Sequence, residues 1–420
     1  MISEYNPYLE YREGELYLEG LPLKGLAEEF GTPLYVYSSS YIRDRIRAYK
    51  EAFPGALICY AVKANFNPHI IALAKEEGAG ADIVSGGELY ASLLAGIEPS
   101  KIVYAGVGKT LREVEYALES DILMFNVESY MELDVLNQVA GKLGKKARVA
   151  IRVNPDVDPK THPYISTGMK KSKFGVDIKE AMREYRYAGS LKNLKVVGIH
   201  CHIGSQILDV SPYIEATQKV VDLYNQLIKE GFNIEYINLG GGLGIKYKPD
   251  QSNPEPKDLA EAILPELKGV NARLVLEPGR SIVGNAGVLL TQVQFLKDKG
   301  HKHFVIVDAG MNDLVRPAMY QAYHHVLPVI KSDRAHVKVD LVGPICETGD
   351  FLALDRELPI MERGDYLAVL SVGAYGFAMS SQYNLRPRAC EVLVEKGYHR
   401  VIREREEYSH IFDVVPPLKG

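Results

Sequence analysis

Between Leu57 and Glu277 the chain alternates short runs rich in β-branched and aromatic residues with longer amphipathic stretches, and this alternation constrains the fold more than any other feature. Eight such runs can be counted: Leu57–Val62, Ala81–Val84, Ile102–Tyr104, Ile122–Val127, Arg148–Val153, Val196–His202, Tyr236–Leu239 and Leu274–Glu277. Each is followed by Gly, Pro, Asn or Ser punctuation, the residues that end a strand and open a turn. Strict βα alternation in that number favours a closed (β/α)8 barrel of the TIM type, with an open doubly wound sheet as the alternative.

After Glu277 the pattern changes. Val288–Leu296, His303–Val307, Val337–Val342, Tyr366–Val372 and Ala389–Val394 read as strands with few long helical stretches between them, which predicts a second, mostly β domain. Upstream of the barrel, Glu15–Glu19 reads as a strand and Leu23–Phe30 as a helix, and this segment is expected to pack on the β domain. The expected division is therefore residues 1–35, a barrel over 36–280, and a β-rich domain over 281–420. The loop 154–173, rich in Pro, Lys and Thr, is too long for an ordinary βα connection and reads as an active-site flap.

Composition narrows the function classes. With 420 residues, 46% of them hydrophobic and 25% charged, the chain can bury a large core. A net charge of −5 with both signs interspersed offers no basic stripe, so neither nucleic acid nor an acidic membrane is an expected partner. The start, Met1-Ile-Ser-Glu-Tyr5, lacks a basic region followed by an apolar core, and no apolar run is long enough to span a bilayer, so export is not expected. Cys59, Cys201, Cys346 and Cys390 are scattered without C-x-x-C spacing, which suits a reducing cytoplasm better than a disulfide framework or a zinc site.

If the barrel forms, its strand ends collect Lys63, Asp82 with Ser85, Asn126, Arg152, His200 with His202, Gly240-Gly-Gly242, and Glu277 with Arg280 on one rim, where barrel enzymes place their chemistry. Lys63, in Tyr60-Ala-Val-Lys-Ala-Asn65, would be a snorkelling loop lysine if it stood alone. An amine, an imidazole, a carboxylate and a glycine-rich loop together answer the needs of pyridoxal phosphate, whose aldehyde condenses with an amine. Its ring nitrogen must stay protonated, so it needs an anion, which Glu277 at the eighth strand tip can supply; an ion-pairing or capping glutamate is the plainer reading of that residue. Gly240-Gly-Gly-Leu-Gly244 follows the seventh strand, where bare amides can approach a phosphate, although glycine triplets are also ordinary tight turns. The pair His200 and His202 would point to one face of a strand and could bind a metal, but the other histidines mostly fall away from strand tips. Stacking of an imidazole on the pyridine ring, with Ser205 touching phosphate, accounts for His200-Cys-His-Ile-Gly-Ser205 without a metal.

The β domain adds Arg316 and Tyr320 at i, i+4, then Gly343-Pro-Ile-Cys-Glu-Thr-Gly-Asp350, then Gly373-Ala-Tyr-Gly376. Cys346 is either a buried structural thiol or, given its flanking glycines, part of an exposed loop.

The motifs Tyr-Ala-Val-Lys-Ala-Asn, His-Ile-Gly-Ser-Gln, Gly-Gly-Gly, Glu-Pro-Gly-Arg, Cys-Glu-Thr-Gly-Asp and Gly-Ala-Tyr-Gly, in this order, resemble those of the diaminopimelate decarboxylases over nearly the whole chain, from Gly31 to Leu385. That family belongs to the fold-type III pyridoxal-phosphate enzymes, with ornithine and arginine decarboxylases and alanine racemase. The resemblance implies an alanine racemase-like barrel plus β domain, and decarboxylation of meso-2,6-diaminopimelate to L-lysine, the last step of lysine biosynthesis. It implies that Lys63 holds the cofactor, His202 stacks on its ring and Glu277 binds its nitrogen, with Asp82 in the same site. Ser205, Gly242, Gly244 and Gly279 would line the phosphate, and Arg280 would stand between cofactor and substrate. Arg316, Tyr320 and Glu347 would hold the distal end of the substrate, Tyr375 would touch both substrate and cofactor, and Cys346 would be the general acid supplied across a head-to-tail homodimer with shared active sites. Charge logic agrees: a distal amino-acid end needs a cation and an anion, which Arg280 or Arg316 and Glu347 provide, whereas an ornithine enzyme wants carboxylates only. The alternatives are a related decarboxylase of another carboxylated diamine such as carboxynorspermidine, and a non-catalytic pyridoxal-phosphate-binding protein.

Overall fold

A computed structural model describes residues 2–159, 173–300 and 302–416; of the expected flap over 154–173, residues 160–172 lie outside the described residues. The chain divides into two compact units, one made of Arg43–Ile245 with Ser252–Ile282, the other of Met1–Ile42, Lys246–Gln251 and Val283–Gly420.

The first unit is a closed barrel. Leu57–Ala61, Gly80–Ile83, Ile102–Tyr104, Met124–Val127, Ala147–Asn154, Leu194–His200, Tyr236–Asn238 and Arg273–Leu276 pair in sequence order, all parallel, and the last pairs back onto the first through Val275 with Leu57 and Leu276 with Ile58. Closure excludes the open doubly wound sheet, and the strand ends differ from the sequence-based ones by no more than two residues. Strands buried on both faces need continuous apolar runs, and Leu57–Ala61, Gly80–Ile83 and Met124–Val127 are buried at every position. Leu57, Cys59, Val103, Met124, Ala150, Val197 and Val275, from six of the strands, meet in one apolar cluster. The connections into the helices end on capping residues: Asn67 before Pro68–Glu76, Ser85 before Gly86–Leu94, Thr110 before Leu111–Glu119 with a reciprocal bond from Glu113, and Ser129 before Tyr130–Lys142. These caps fix where each strand stops, and so which side chains emerge at the carboxyl ends.

The second unit is built on a nine-stranded sheet. Leu34–Ser38 lies inside it, antiparallel to Gly287–Asp298 and parallel to Cys390–Glu395. The twelve-residue strand Gly287–Asp298 pairs with Leu34–Ser38 and Tyr366–Leu370 over its first half, then with His303–Val307 beyond a register shift between Val293 and Phe295, the mark of a β-bulge. His336–Val342 and Phe351–Pro359 continue the sheet on one side and Tyr398–Arg403 on the other. Leu9–Arg12, Glu15–Leu18 and Leu21–Pro22 form a separate small sheet, and Leu9, Leu16, Leu18, Leu23 and Leu26 share a core with Leu34, Val288, Leu290, Leu370 and Val392. Because Leu34–Ser38 is a strand of this sheet, the unit runs through Ile42 and not to residue 35, and it also takes in Lys246–Gln251. Among the described residues no helix is long and apolar enough to cross a membrane.

Candidate active site

At the carboxyl ends of the barrel strands, Lys63 stands in the turn Val62–Ala64 directly after the first strand, and its Nζ donates to Asp82 Oδ2 at 2.8 Å. Asp82 is fully buried at the end of the second strand; burial and the nearby Glu277 charge outweigh the attraction of Lys63 and push its carboxyl up to about 6. Glu277 follows the eighth strand, which neighbours the first, and is 5% exposed. Its Oε1 accepts from Asn238 Nδ2 at 2.5 Å and Asn126 Nδ2 at 3.2 Å, and its Oε2 lies 3.2 Å from His200 Nε2. Burial alone would raise the Glu277 carboxyl, but His200, Lys63 and Asn238 together bring it well below the ordinary carboxylate range. The site thus holds an anion deep among apolar strands. His202 Nδ1 accepts the Gly241 backbone N–H at 3.2 Å, and burial, reinforced by Arg152 and Lys63, holds its pKa well below the usual imidazole value, so the ring is neutral. Asp82 Oδ1, Asn126 Oδ1 and His200 Nδ1 are buried with no hydrogen-bond partner among the described residues. Orphaned polar atoms in such a cluster mark a place where a polar group belongs.

The glycine loop lies beside this cluster. Gly242 has φ +108°, and a Cβ there would come within 2.2 Å of the Gly204 carbonyl, so only glycine fits. A Cβ on Gly279 would meet Ala61 Cβ at 2.9 Å, which holds the Glu277–Arg280 turn close to the first strand. Gly244 N–H donates to Ile207 O, and Ser205 Oγ accepts from Arg280 Nη2 at 3.0 Å and Nε at 3.3 Å. Arg152 is paired with Glu128 at 2.8 Å, and Glu128 also accepts the Gly175 N–H. Lys63, Asp82, His202, Ser205, Gly242, Gly244, Glu277, Gly279 and Arg280 all belong to the barrel unit. An amine, a buried anion, a neutral imidazole and a bare-backbone loop fit pyridoxal phosphate. Among the described residues no group of three His, Cys, Asp or Glu side chains is placed to hold a metal ion.

Arg316, Tyr320, Cys346, Glu347 and Tyr375 belong to the β-rich unit. Arg316 and Tyr320 open and close a five-residue helix; Arg316 is buried, and its Nη1 donates to Tyr247 Oη at 2.8 Å and to His324 Nε2 at 3.2 Å. Cys346 is exposed, as its glycine-flanked loop implied, with its N–H bonded to Asn384 Oδ1 at 2.8 Å. Glu347, also exposed, accepts from Tyr383 Oη at 2.8 Å, so two adjacent residues tie this loop to the segment 383–384. Tyr375 has φ 58°, a left-handed conformation that is uncommon for an aromatic residue and is concentrated at functional sites.

On the rim, His200, a metal-ligand candidate from the sequence, instead faces Glu277, as does Asn126; Asn238, Tyr247 and His324 join the sites without having been expected there. Asn238 was detectable in principle as a polar residue ending the apolar strand Tyr236–Asn238. Tyr247 and His324 carry no local signal, because their meaning lies in Arg316.

The known proteins point one way. Residues 39–284 match the model of the pyridoxal-dependent decarboxylase family, pyridoxal binding domain. A diaminopimelate decarboxylase of Aquifex aeolicus is 68% identical over 98% of both chains. Solved structures of diaminopimelate decarboxylase in complex with L-lysine are similar too: that of M. jannaschii has a TM-score of 0.93 at 45% identity, covering 98% of this chain and 99% of its own. That of Helicobacter pylori has a TM-score of 0.90 at 45% identity, covering 93% and 98%. A barrel rim built for pyridoxal phosphate and similarity of this extent lead to one conclusion: the chain belongs to the pyridoxal-dependent decarboxylases, in the diaminopimelate decarboxylase family.

Proposed function

We propose that this chain is a pyridoxal-phosphate-dependent carboxy-lyase that converts meso-2,6-diaminopimelate to L-lysine and carbon dioxide, the last step of lysine biosynthesis. The observation that carries the reading is the buried Glu277 carboxylate, kept ionised by His200, Asn238 and Asn126, on the strand next to the one that delivers the Lys63 amine. When bound, the cofactor withdraws electrons from the substrate α carbon as carbon dioxide leaves.

The protein's part is to bind, orient and move protons. Lys63 anchors the cofactor through its amine, and Asp82 orients that amine by accepting its hydrogen bond. Glu277 would keep a proton on the ring nitrogen, and the neutral imidazole of His202 would stack on the ring. Ser205, Gly242, Gly244 and Gly279 would receive the phosphate, and Arg280, bonded to Ser205, would serve both cofactor and substrate. Arg316 and Glu347 hold the distal carboxylate and ammonium, Tyr320 and Tyr375 flank the substrate, and the Cys346 thiol returns a proton to the α carbon. The exposure of Cys346 supports a head-to-tail homodimer in which the thiol serves the other subunit's site. The amino-acid substrate and the reduced cysteines suit a cytoplasmic enzyme.

Carbon dioxide release and lysine formation, assayed on meso-diaminopimelate, its LL and DD isomers, ornithine, arginine and carboxynorspermidine, test this reading. Preference for the meso isomer is expected. Turnover of ornithine or carboxynorspermidine at an equal rate would overturn it.

A further inference from the structure

We propose that His324 and Tyr247 are positioning residues for substrate recognition: as uncharged partners they hold the Arg316 guanidinium in one orientation. The inference rests on the reading that Arg316 binds the distal carboxylate, and it assigns two residues that nothing in that reading uses.

Arg316 is 7% exposed, and a guanidinium has donors only. His324 Nε2, at 3.2 Å from Nη1, must therefore be the acceptor, and His324 Nδ1, at 2.9 Å from the Leu370 carbonyl, must carry the proton. Both ring nitrogens are thus committed, so the imidazole is neutral and cannot turn without losing a bond. His324 itself is fully buried. Tyr247 Oη accepts from the same Nη1 at 2.8 Å, the guanidinium carbon lies 4.8 Å from the centroid of the Tyr247 ring, and that ring meets His324 edge-on at 5.3 Å.

The main chain that carries Tyr247 is pinned in turn. Its carbonyl accepts from Tyr5 Oη at 3.3 Å, and the neighbouring Lys246 carbonyl accepts from Asn285 Nδ2 at 3.0 Å and Ser371 Oγ at 3.2 Å. The guanidinium is therefore gripped by an imidazole fixed to the strand Tyr366–Leu370 and by a phenol on a tethered segment. The chemical nature of the grip matters as much as its rigidity. A carboxylate at either position would neutralise the guanidinium and compete with an anionic ligand, whereas a phenol and a neutral imidazole orient it and cancel none of its charge. Orientation before binding also removes the rotamer freedom that a loose arginine would lose on meeting substrate.

The test is a set of double-mutant cycles on the holoenzyme, with kcat and KM for meso-diaminopimelate, cofactor absorbance and circular dichroism read for each variant. His324→Leu should raise KM roughly ten-fold or more and leave kcat within about three-fold, with absorbance unchanged. His324→Gln should recover most of the loss, since its amide can accept from Arg316 and donate to Leu370 O. In an Arg316→Ala background, His324→Leu and Tyr247→Phe should have no further effect on KM, because each acts only through the arginine. Multiplying effects in that background would show that the two residues merely support packing, and would overturn the inference. So would an unchanged KM in both His324→Leu and Tyr247→Phe while Arg316→Ala raises it, an outcome that leaves the assigned reaction intact. If Arg316→Ala itself leaves KM unchanged, the role of Arg316 falls first and the inference falls with it. Should His324→Leu not fold, His324→Gln and Tyr247→Phe carry the same comparison.

Discussion

Replacing Glu277 by glutamine or by alanine separates what its charge does from what its hydrogen bonds do. The carboxylate accepts from Asn126 and Asn238 at one oxygen and faces His200 Nε2 with the other. Glutamine can keep Oε1 as the acceptor for both amides and turn its own N–H toward His200, with the imidazole now accepting. Every buried bond then survives, and the cost in folding stability should not exceed about 1 kcal/mol. Alanine strands three buried polar partners at about 1 kcal/mol or more each, so the loss should be roughly 3–5 kcal/mol, the range found when a buried charge pair is broken by removing one side. Activity should order the variants differently. Both lack the anion, so both should lose on the order of 100-fold or more in kcat. The chain has no tryptophan, so urea unfolding is best followed by circular dichroism, alongside carbon dioxide release. Against the opposing effect of burial, His200, Lys63 and Asn238 hold the folded Glu277 carboxyl down to about 2, below the ordinary carboxylate range. Its stabilisation is therefore present above the unfolded value and lost as pH falls through the folded one, so parent and Glu277→Gln curves should converge in strong acid. The reasoning is refuted if Glu277→Gln unfolds as easily as Glu277→Ala, or if it keeps kcat within about three-fold of the parent.

Borohydride reduction of the holoenzyme should fix the cofactor to Lys63, read by mass spectrometry of peptides, and a label mapping elsewhere would sink that assignment. Mixing Lys63→Ala with Cys346→Ala protein under subunit exchange should restore part of the activity; if heterodimers form and activity stays absent, the two residues act within one chain. Burial raises the Asp313 carboxyl to about 7 although the Gly310 N–H donates to it. A raised folded value means that its contribution is complete below about pH 4 and is lost as pH rises through about 7. Asp313→Asn should therefore gain stability over the parent at pH 8 and much less at pH 5, and parallel urea-midpoint profiles would contradict this.

The barrel was legible because its strands are buried on both faces and bounded by strong turn residues, so period and punctuation agree at Leu57, Ile102 or Tyr236 without reference to distant sequence. Leu34–Ser38 was missed for the opposite reason. All five residues are buried, but its neighbours in the sheet begin at Gly287 and Cys390, and nothing local marks it as part of that sheet. Phe351–Pro359 was hidden by the charged residues at its middle, Asp355, Arg356 and Glu357, and Tyr398–Arg403 by its exposed first half. In the candidate site, Lys63, His202 and Glu277 were legible as candidates because chemistry limits which side chains can serve a pyridoxal cofactor. Asn238 beside Glu277 and His324 beside Arg316 were not legible, since each acquires meaning only from the atoms it faces.

The chain crosses between its two units four times, at 42/43, 245/246, 251/252 and 282/283, so neither unit corresponds to one stretch of gene. Recombination cannot trade them as cassettes. A chimera that takes residues 283–420 from a relative would import Arg316 and His324 but keep the host's Tyr247, and would set the donor's strands beginning at Gly287 and Cys390 beside the host's Leu34–Ser38. Mismatch would then appear in two places at once, as an unsupported sheet and as a misaligned arginine. If Arg316 selects the substrate as proposed, such interleaving ties that selection to a segment, Lys246–Gln251, whose gene sequence lies inside that of the barrel, and narrows the crossovers that can yield a working enzyme of altered specificity.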